Sequence, residues 1–142
     1  MINKLRNIIS EYVLKNSNTQ FWESIREQFG AYSYLMFLFI STKSLKDINN
    51  LKDMQKVAYE SELEKKEILN TICCLKDANK FIYDINAIIN VAENINVSQL
   101  YQEYISADFI LTPNGIVFES GKNNRDILGS YYTCEEFAEN IN

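Results

Sequence analysis

Ala31-Tyr32-Ser33-Tyr34-Leu35-Met36-Phe37-Leu38-Phe39-Ile40 is the most hydrophobic run in this 142-residue chain. Ten residues are about half of the roughly 20 needed to cross a bilayer, so the run is read as a central helix, with a buried strand as the alternative. Either way it is the element on which the others must pack.

On its N-terminal side, Ile2, Leu5, Ile8, Ile9, Tyr12 and Val13 recur at helical spacing, which predicts an amphipathic helix over the first fifteen residues. Asn16 to Asn18 interrupts it. Phe21, Trp22, Ile25 and Phe29 mark a second helix, for which Gly30 is the expected stop. On the C-terminal side, Ser44 followed by Asp47 reads as a capping box, and Ser41 to Asn50 reads as a connection holding one helical turn. Leu51, Met54, Val57 and Ala58 then start a helix that runs on through Glu60, Glu62, Glu64, Lys65, Lys66 and Glu67. That charged stretch is polar all round, with Glu62 and Lys66 at favourable spacing, and is expected to project from the core. Ile68, Leu69, Ile72 and Leu75 return the chain to the core, with Cys73 and Cys74 read as buried packing. Phe81, Ile82, Ile85, Ile88, Ile89 and Ala92 form a further helical face, and Ser98 is the expected cap of a short helix through Leu100, Tyr101, Tyr104 and Ile105.

The pattern changes after that helix. Phe109-Ile110-Leu111 and Ile116-Val117-Phe118 are two β-type runs around Thr112-Pro113-Asn114-Gly115, which predicts a hairpin. Two strands alone are marginal, so the hairpin must pack on the helices or extend another sheet. The expected fold is therefore mainly α: a bundle of five to seven helices over residues 1–107, followed on the same single domain by residues 108–142 as hairpin, polar loop and short terminal helix. Thr133 and Glu136 give that last helix a capping box, with its first turn at Cys134 and an apolar face of Phe137, Ala138 and Ile141.

Composition narrows the chemistry. The net charge is −5, and the basic residues are scattered, each near an acid, so no stripe offers phosphates a track. No direct nucleic-acid binding is expected. Histidine is absent, which removes Ser-His-Asp and Cys-His nucleophile arrangements. Three cysteines, one of them distant, make a poor zinc set, so no metal is expected. The odd cysteine count argues for a reducing compartment, and Met1 to Val13 lacks the continuous apolar core of a signal peptide, so the expected location is cytoplasmic. The glutamates from Glu60 to Glu67 have nothing apolar around them in sequence to raise a pKa, so they are read as a solvated face with no acid-base role.

One segment carries a resemblance. Gly129-Ser130-Tyr131-Tyr132-Thr133, followed by Phe137 and Ala138, resembles the Gly-x-Tyr-Thr-Pro segment that opens the catalytic domain of gamma-class DNA adenine methyltransferases. The resemblance covers roughly the last eighteen residues, and Thr112 to Phe118 weakly. In that family the segment helps hold the methionine end of S-adenosylmethionine, so the resemblance implies Tyr131, Tyr132 and Thr133 as cofactor-binding positions. The departure is Cys134, where the family has proline. Catalysis also needs an Asn-Pro-Pro-Tyr-type motif and a glycine-rich cofactor loop. This chain has one proline, Pro113, and its four glycines are never two apart. The three positions are therefore expected to be vestigial, with no catalytic residue and no cofactor bound by this chain alone. The helical order before the segment also resembles what precedes the catalytic domain in large restriction and modification enzymes of that group.

Two functions follow as expectations. One is a non-catalytic protein-interaction module related to the N-terminal part of such a methyltransferase, cut off before the catalytic motifs and acting in restriction or phage defence. The alternative is a small acidic intracellular inhibitor or immunity protein, of the anti-restriction, anti-CRISPR or toxin-immunity kind, that binds a basic protein partner. Both require a protein partner and no membrane.

Overall fold

The computed structural model describes residues 1–60, 73–92 and 94–120. Among these the chain forms five helices, α1 (Ile2–Asn16), α2 (Trp22–Leu45), α3 (Leu51–Glu60), α4 (Ala78–Ile89) and α5 (Val97–Ile105), then an antiparallel hairpin of β1 (Ala107–Thr112) and β2 (Gly115–Ser120). The fold is mainly helical with a two-stranded hairpin, as the periodicity predicts. The charged stretch from Glu62 to Glu67, the return through Ile68, Leu69 and Ile72, and the capped terminal helix lie outside the described residues.

The central helix is longer than the sequence suggests. Gly30 does not stop it: α2 runs 24 residues through Gly30 and the whole of Ala31–Ile40, and ends at Leu45. A helical glycine costs about 1 kcal/mol relative to alanine. Burying Ile25 and Phe29 on one side, and every residue from Gly30 to Thr42 on the other, outweighs that, since each large apolar side chain fully removed from water contributes about 1.5–3 kcal/mol. α2 packs against α1, α3, α4 and α5, so it is buried all round. The buried hydroxyl of Thr42 donates to the Leu38 carbonyl at 2.7 Å, within the helix, and so needs no tertiary partner. Among the described residues no helix is long and apolar enough to cross a membrane.

The other helices bury one stripe each. α1 inserts Leu5, Ile9, Tyr12 and Val13; α4 inserts Ala78, Phe81, Ile82, Ile85 and Ile89; α5 inserts Leu100, Tyr101, Tyr104 and Ile105. Two expected caps are in different places. Ser44 lies inside α2 and donates to the Ser41 carbonyl, while Asn50 accepts the Asp53 amide at 2.8 Å and caps α3. Similarly Asn96, not Ser98, caps α5, its side-chain oxygen taking the Gln99 amide at 3.0 Å. An asparagine oxygen reaches the third amide of a first turn as well as a serine does, so a serine two residues further on is already helical.

The hairpin closes the α2–α5 side of the core. In its register Phe109 faces Phe118 and Leu111 faces Ile116. Phe109 stacks on Phe29 of α2 with ring centroids 3.9 Å apart, and Trp22 tilts against the same ring at 5.3 Å. This docking supplies the burial that two isolated strands lack. The tight turn places its positive φ at Gly115 (123°), a backbone region that glycine enters without penalty.

Candidate functional site

The three positions implied by the resemblance, Tyr131, Tyr132 and Thr133, lie outside the described residues, so the site must be sought elsewhere in the molecule. The vicinal cysteines are not the buried pair expected. Cys73 is half-buried and Cys74 exposed, because they follow one another where the chain turns before α4, and adjacent residues there cannot both face the core. Burial, followed by the neighbouring Cys74, pushes the Cys73 thiol up to about 12 against the lowering effect of a hydrogen bond with Gln55. At neutral pH Cys73 is a thiol and a weak nucleophile. Among the described residues no group of three or more cysteines and carboxylates could hold a metal ion.

Most polar groups inside the described fold are paired, while Arg6 Nε, Asn16 Oδ1, Ser17 Oγ and Asn86 Oδ1 are among the buried atoms with no hydrogen-bond partner among the described residues. On the α1–α4 side, the Tyr12 hydroxyl donates to Asp84 Oδ2 at 2.7 Å. Tyr32 of α2 accepts from Asn16 Nδ2 at 2.9 Å and donates to the Lys76 carbonyl at 2.6 Å. Beside them, Lys15 Nζ lies 3.3 Å from Asp77 Oδ2 and its hydrogen bond holds that carboxyl below the usual aspartate range. On the other side of α2, the Ser33 and Tyr104 hydroxyls meet at 2.7 Å in the dry core. Burial raises the Tyr12, Tyr32 and Tyr104 phenols above their ordinary value, so these groups stay neutral and structural.

Arg6 of α1 crosses the molecule's N- and C-terminal parts. Its Nη2 donates to the Glu103 carbonyl at 2.8 Å and the Tyr104 carbonyl at 3.3 Å, and its guanidinium lies 5.2 Å over the Phe118 ring. One side chain therefore ties α1, α5 and β2 together and places a cation on the C-terminal end of α5, where the helix dipole is negative.

The C-terminal end of α4 is open instead. There an open cavity of about 410 Å³ is lined by Ile40, Lys43, Ser44, Ile89, Asn90, Ala92, Asn94 and Ile95. α2 gives it one wall, α4 the second, and the connection to α5 the third. Asn94 adopts a left-handed conformation (φ 51°), which an asparagine tolerates, and turns the chain around the cavity's edge. Lys43 is its one basic lining residue among the described residues, and its ammonium donates to the Ile48 carbonyl at 2.8 Å and to Asn49 Oδ1 at 3.1 Å. Val91 and Leu45, next in sequence to Asn90 and Ser44, are 80% and 49% exposed. Phe21 and Trp22 are exposed at the start of α2, where Trp22 meets Phe109 of the hairpin, and Val117 is exposed on β2.

Sequence reasoning missed both helix ends. Arg6 and Glu103 are 97 residues apart, so no local pattern joins them. The signal available was negative: the stretch from Phe81 to Ala92 ends without a lysine or arginine. Compared with family models, curated proteins and solved structures, the chain matches none.

Proposed function

We propose that the protein is a non-catalytic protein-interaction module, working in the restriction or phage-defence setting that the resemblance of its last eighteen residues to adenine methyltransferases suggests. What supports this reading is the division of its chemistry. The buried hydroxyls of Tyr12, Tyr32, Ser33 and Tyr104 are spent on internal hydrogen bonds, while Phe21, Trp22, Leu45, Val91 and Val117 are left on the surface. Large apolar side chains exposed at a surface can serve a protein contact; reacting groups poised in a water-excluded cleft are what catalysis needs. The net charge of −5 favours a basic partner. That charge also supports a second reading, an acidic inhibitor or immunity protein.

The test mixes the purified chain with S-adenosylmethionine and adenine-containing duplex DNA, and separately with the catalytic subunit of an adenine methyltransferase encoded beside it. The expected result is no methyl transfer by the chain alone and co-elution with the catalytic subunit in size-exclusion chromatography. Co-elution with a neighbouring nuclease or toxin supports the inhibitor reading instead. Methyl transfer by the chain alone, or saturable micromolar binding of the cofactor, overturns the proposal.

A further inference from the structure

The cavity of about 410 Å³ does not end at Asn94. Asn94 and Ile95 also line a smaller cavity of about 170 Å³, whose other walls are Met1, Asn96 and the Gln99, Leu100 and Glu103 side of α5. The two adjoin along the connection between α4 and α5 and make one groove, which runs from the end of α2 to α5.

The groove combines two kinds of surface. Ile40, Ile89 and Leu100 are buried apolar residues, and Ile95 is a half-buried one. Asn90, Asn94, Asn96 and Gln99 are exposed carboxamides. A carboxamide carries N–H donors and a carbonyl acceptor, which is the composition of a peptide group. The Asn96 oxygen is committed to the Gln99 amide at 3.0 Å, while the side chains of Asn90, Asn94 and Gln99 have no hydrogen-bond partner among the described residues. Charge is placed at the two ends. The described lining holds Lys43 at the α2 end and the exposed Glu103 at the α5 end, and neither is in an ion pair among the described residues. The Lys43 ammonium rests on two neutral oxygens and keeps one of its three donors.

These features select among occupants. A small anion would use Lys43 and leave the carboxamides and the apolar walls wet. A helix turns its main-chain groups inward and offers the carboxamides nothing. An extended segment presents an N–H or C=O at each residue and sends alternate side chains to opposite faces, so its backbone meets the carboxamides and its side chains meet the isoleucines.

We propose that this groove binds an extended segment of the protein partner, with apolar side chains on Ile40, Ile89 and Ile95, an acidic residue at Lys43 and a basic residue at Glu103. The inference rests on the protein-interaction reading above and gives the partner's contact its form and its order of charges.

The probe is N-acetyl-aspartyl-leucyl-seryl-leucyl-argininamide, titrated into the isotope-labelled full chain and followed by amide chemical shifts. Saturable shifts are expected at residues 94–96 and 99–100, with affinity about 10-fold weaker when the central peptide nitrogens are methylated and lose their donors. Glu103 holds Arg6 through its carbonyl alone, so its side chain can be changed without breaking that joint. Glu103→Lys should bind the probe about 3-fold more weakly, the worth of an exposed charge pair, and recover affinity for the peptide whose arginine is replaced by glutamate. Val117→Ser on the hairpin should leave binding unchanged. Equal affinity for the methylated peptide, or affinity unaffected by Glu103→Lys, overturns the proposal. Binding lost in Val117→Ser also overturns it, but moves the contact to the hairpin and leaves the interaction reading standing. Absence of any shift overturns the groove's role and leaves that reading to the co-elution test.

Discussion

The C-terminal ends of α5 and α4 face the same electrostatic problem and are treated differently. At α5 the chain provides its own cation from the far side of the sequence, and Arg6 spans Glu103, Tyr104 and the Phe118 ring. At α4 no basic residue stands in the last turn, and the end borders an open cavity into which α2 contributes Lys43. The first end is a joint of the fold, closed by an internal contact. The second lies beside a cavity open to solvent whose lining already includes one cation, Lys43 of α2. A cation brought from a distant part of the sequence is thus a joint of the fold at one helix end and not at the other.

The largest expected effect breaks the closed end. Arg6→Ala removes a charged donor from two carbonyls and its stem from Phe118, and should lower stability by about 2–3 kcal/mol. Urea denaturation would measure it as a lower midpoint at unchanged slope. An Arg6→Ala protein as stable as the wild type would mean that α5's end needs no cation, and the contrast with α4 would lose its basis.

Tyr104→Phe probes the same end from inside. Among the described residues its hydroxyl pairs with Ser33 in the core, so the change strands a buried serine and should cost about 1–2 kcal/mol. It also alters the response to pH. Because the folded pKa of Tyr104 is raised above the unfolded value of about 10, its contribution is fully present below pH ~10 and is lost as pH rises through the folded value. Tyr12 and Tyr32 are raised too and act in the same direction. Stability should therefore fall in alkali, and removing Tyr104 should make that fall shallower by up to about 1.4 kcal/mol per pH unit. Denaturation midpoints across the alkaline range would check the slope, and an identical slope in both proteins would contradict the assignment.

The smallest effect has the opposite sign. Asn90→Lys gives α4 the cation that its last turn lacks, and should raise stability by about 0.3–1 kcal/mol at low ionic strength, less in high salt. If it destabilises, the open end is not short of positive charge.

Much of this fold could be read from the residues, while the site could not. α1, α4, α5 and the hairpin announce themselves through stripes such as Leu5-Ile9-Tyr12 and the Pro113-Asn114-Gly115 turn, because each repeats over a short span. The continuity of α2 through Gly30 could not be read in that way. A glycine's local cost is visible in sequence, whereas the burial that overrides it comes from four other helices. Asn50 and Asn96 were available as caps, but Ser44 and Ser98 fit the same pattern, and the choice depends on where tertiary packing starts the helix. The Tyr131-Tyr132-Thr133 segment lies outside the described residues, so its implied role stands as the resemblance left it. The two helix ends depend on what lies opposite them in space, and neither Arg6's reach nor the cavity beside Asn90 has a local signature.

The most direct test of the central claim compares amide hydrogen exchange at the two ends in the wild type and in Arg6→Ala. The amides of residues 103–106 should lose protection in the variant, because Arg6 holds the Glu103 and Tyr104 carbonyls, while those of residues 89–92 should be unchanged. Unchanged protection at residues 103–106, or an equal loss at both ends, would contradict the account.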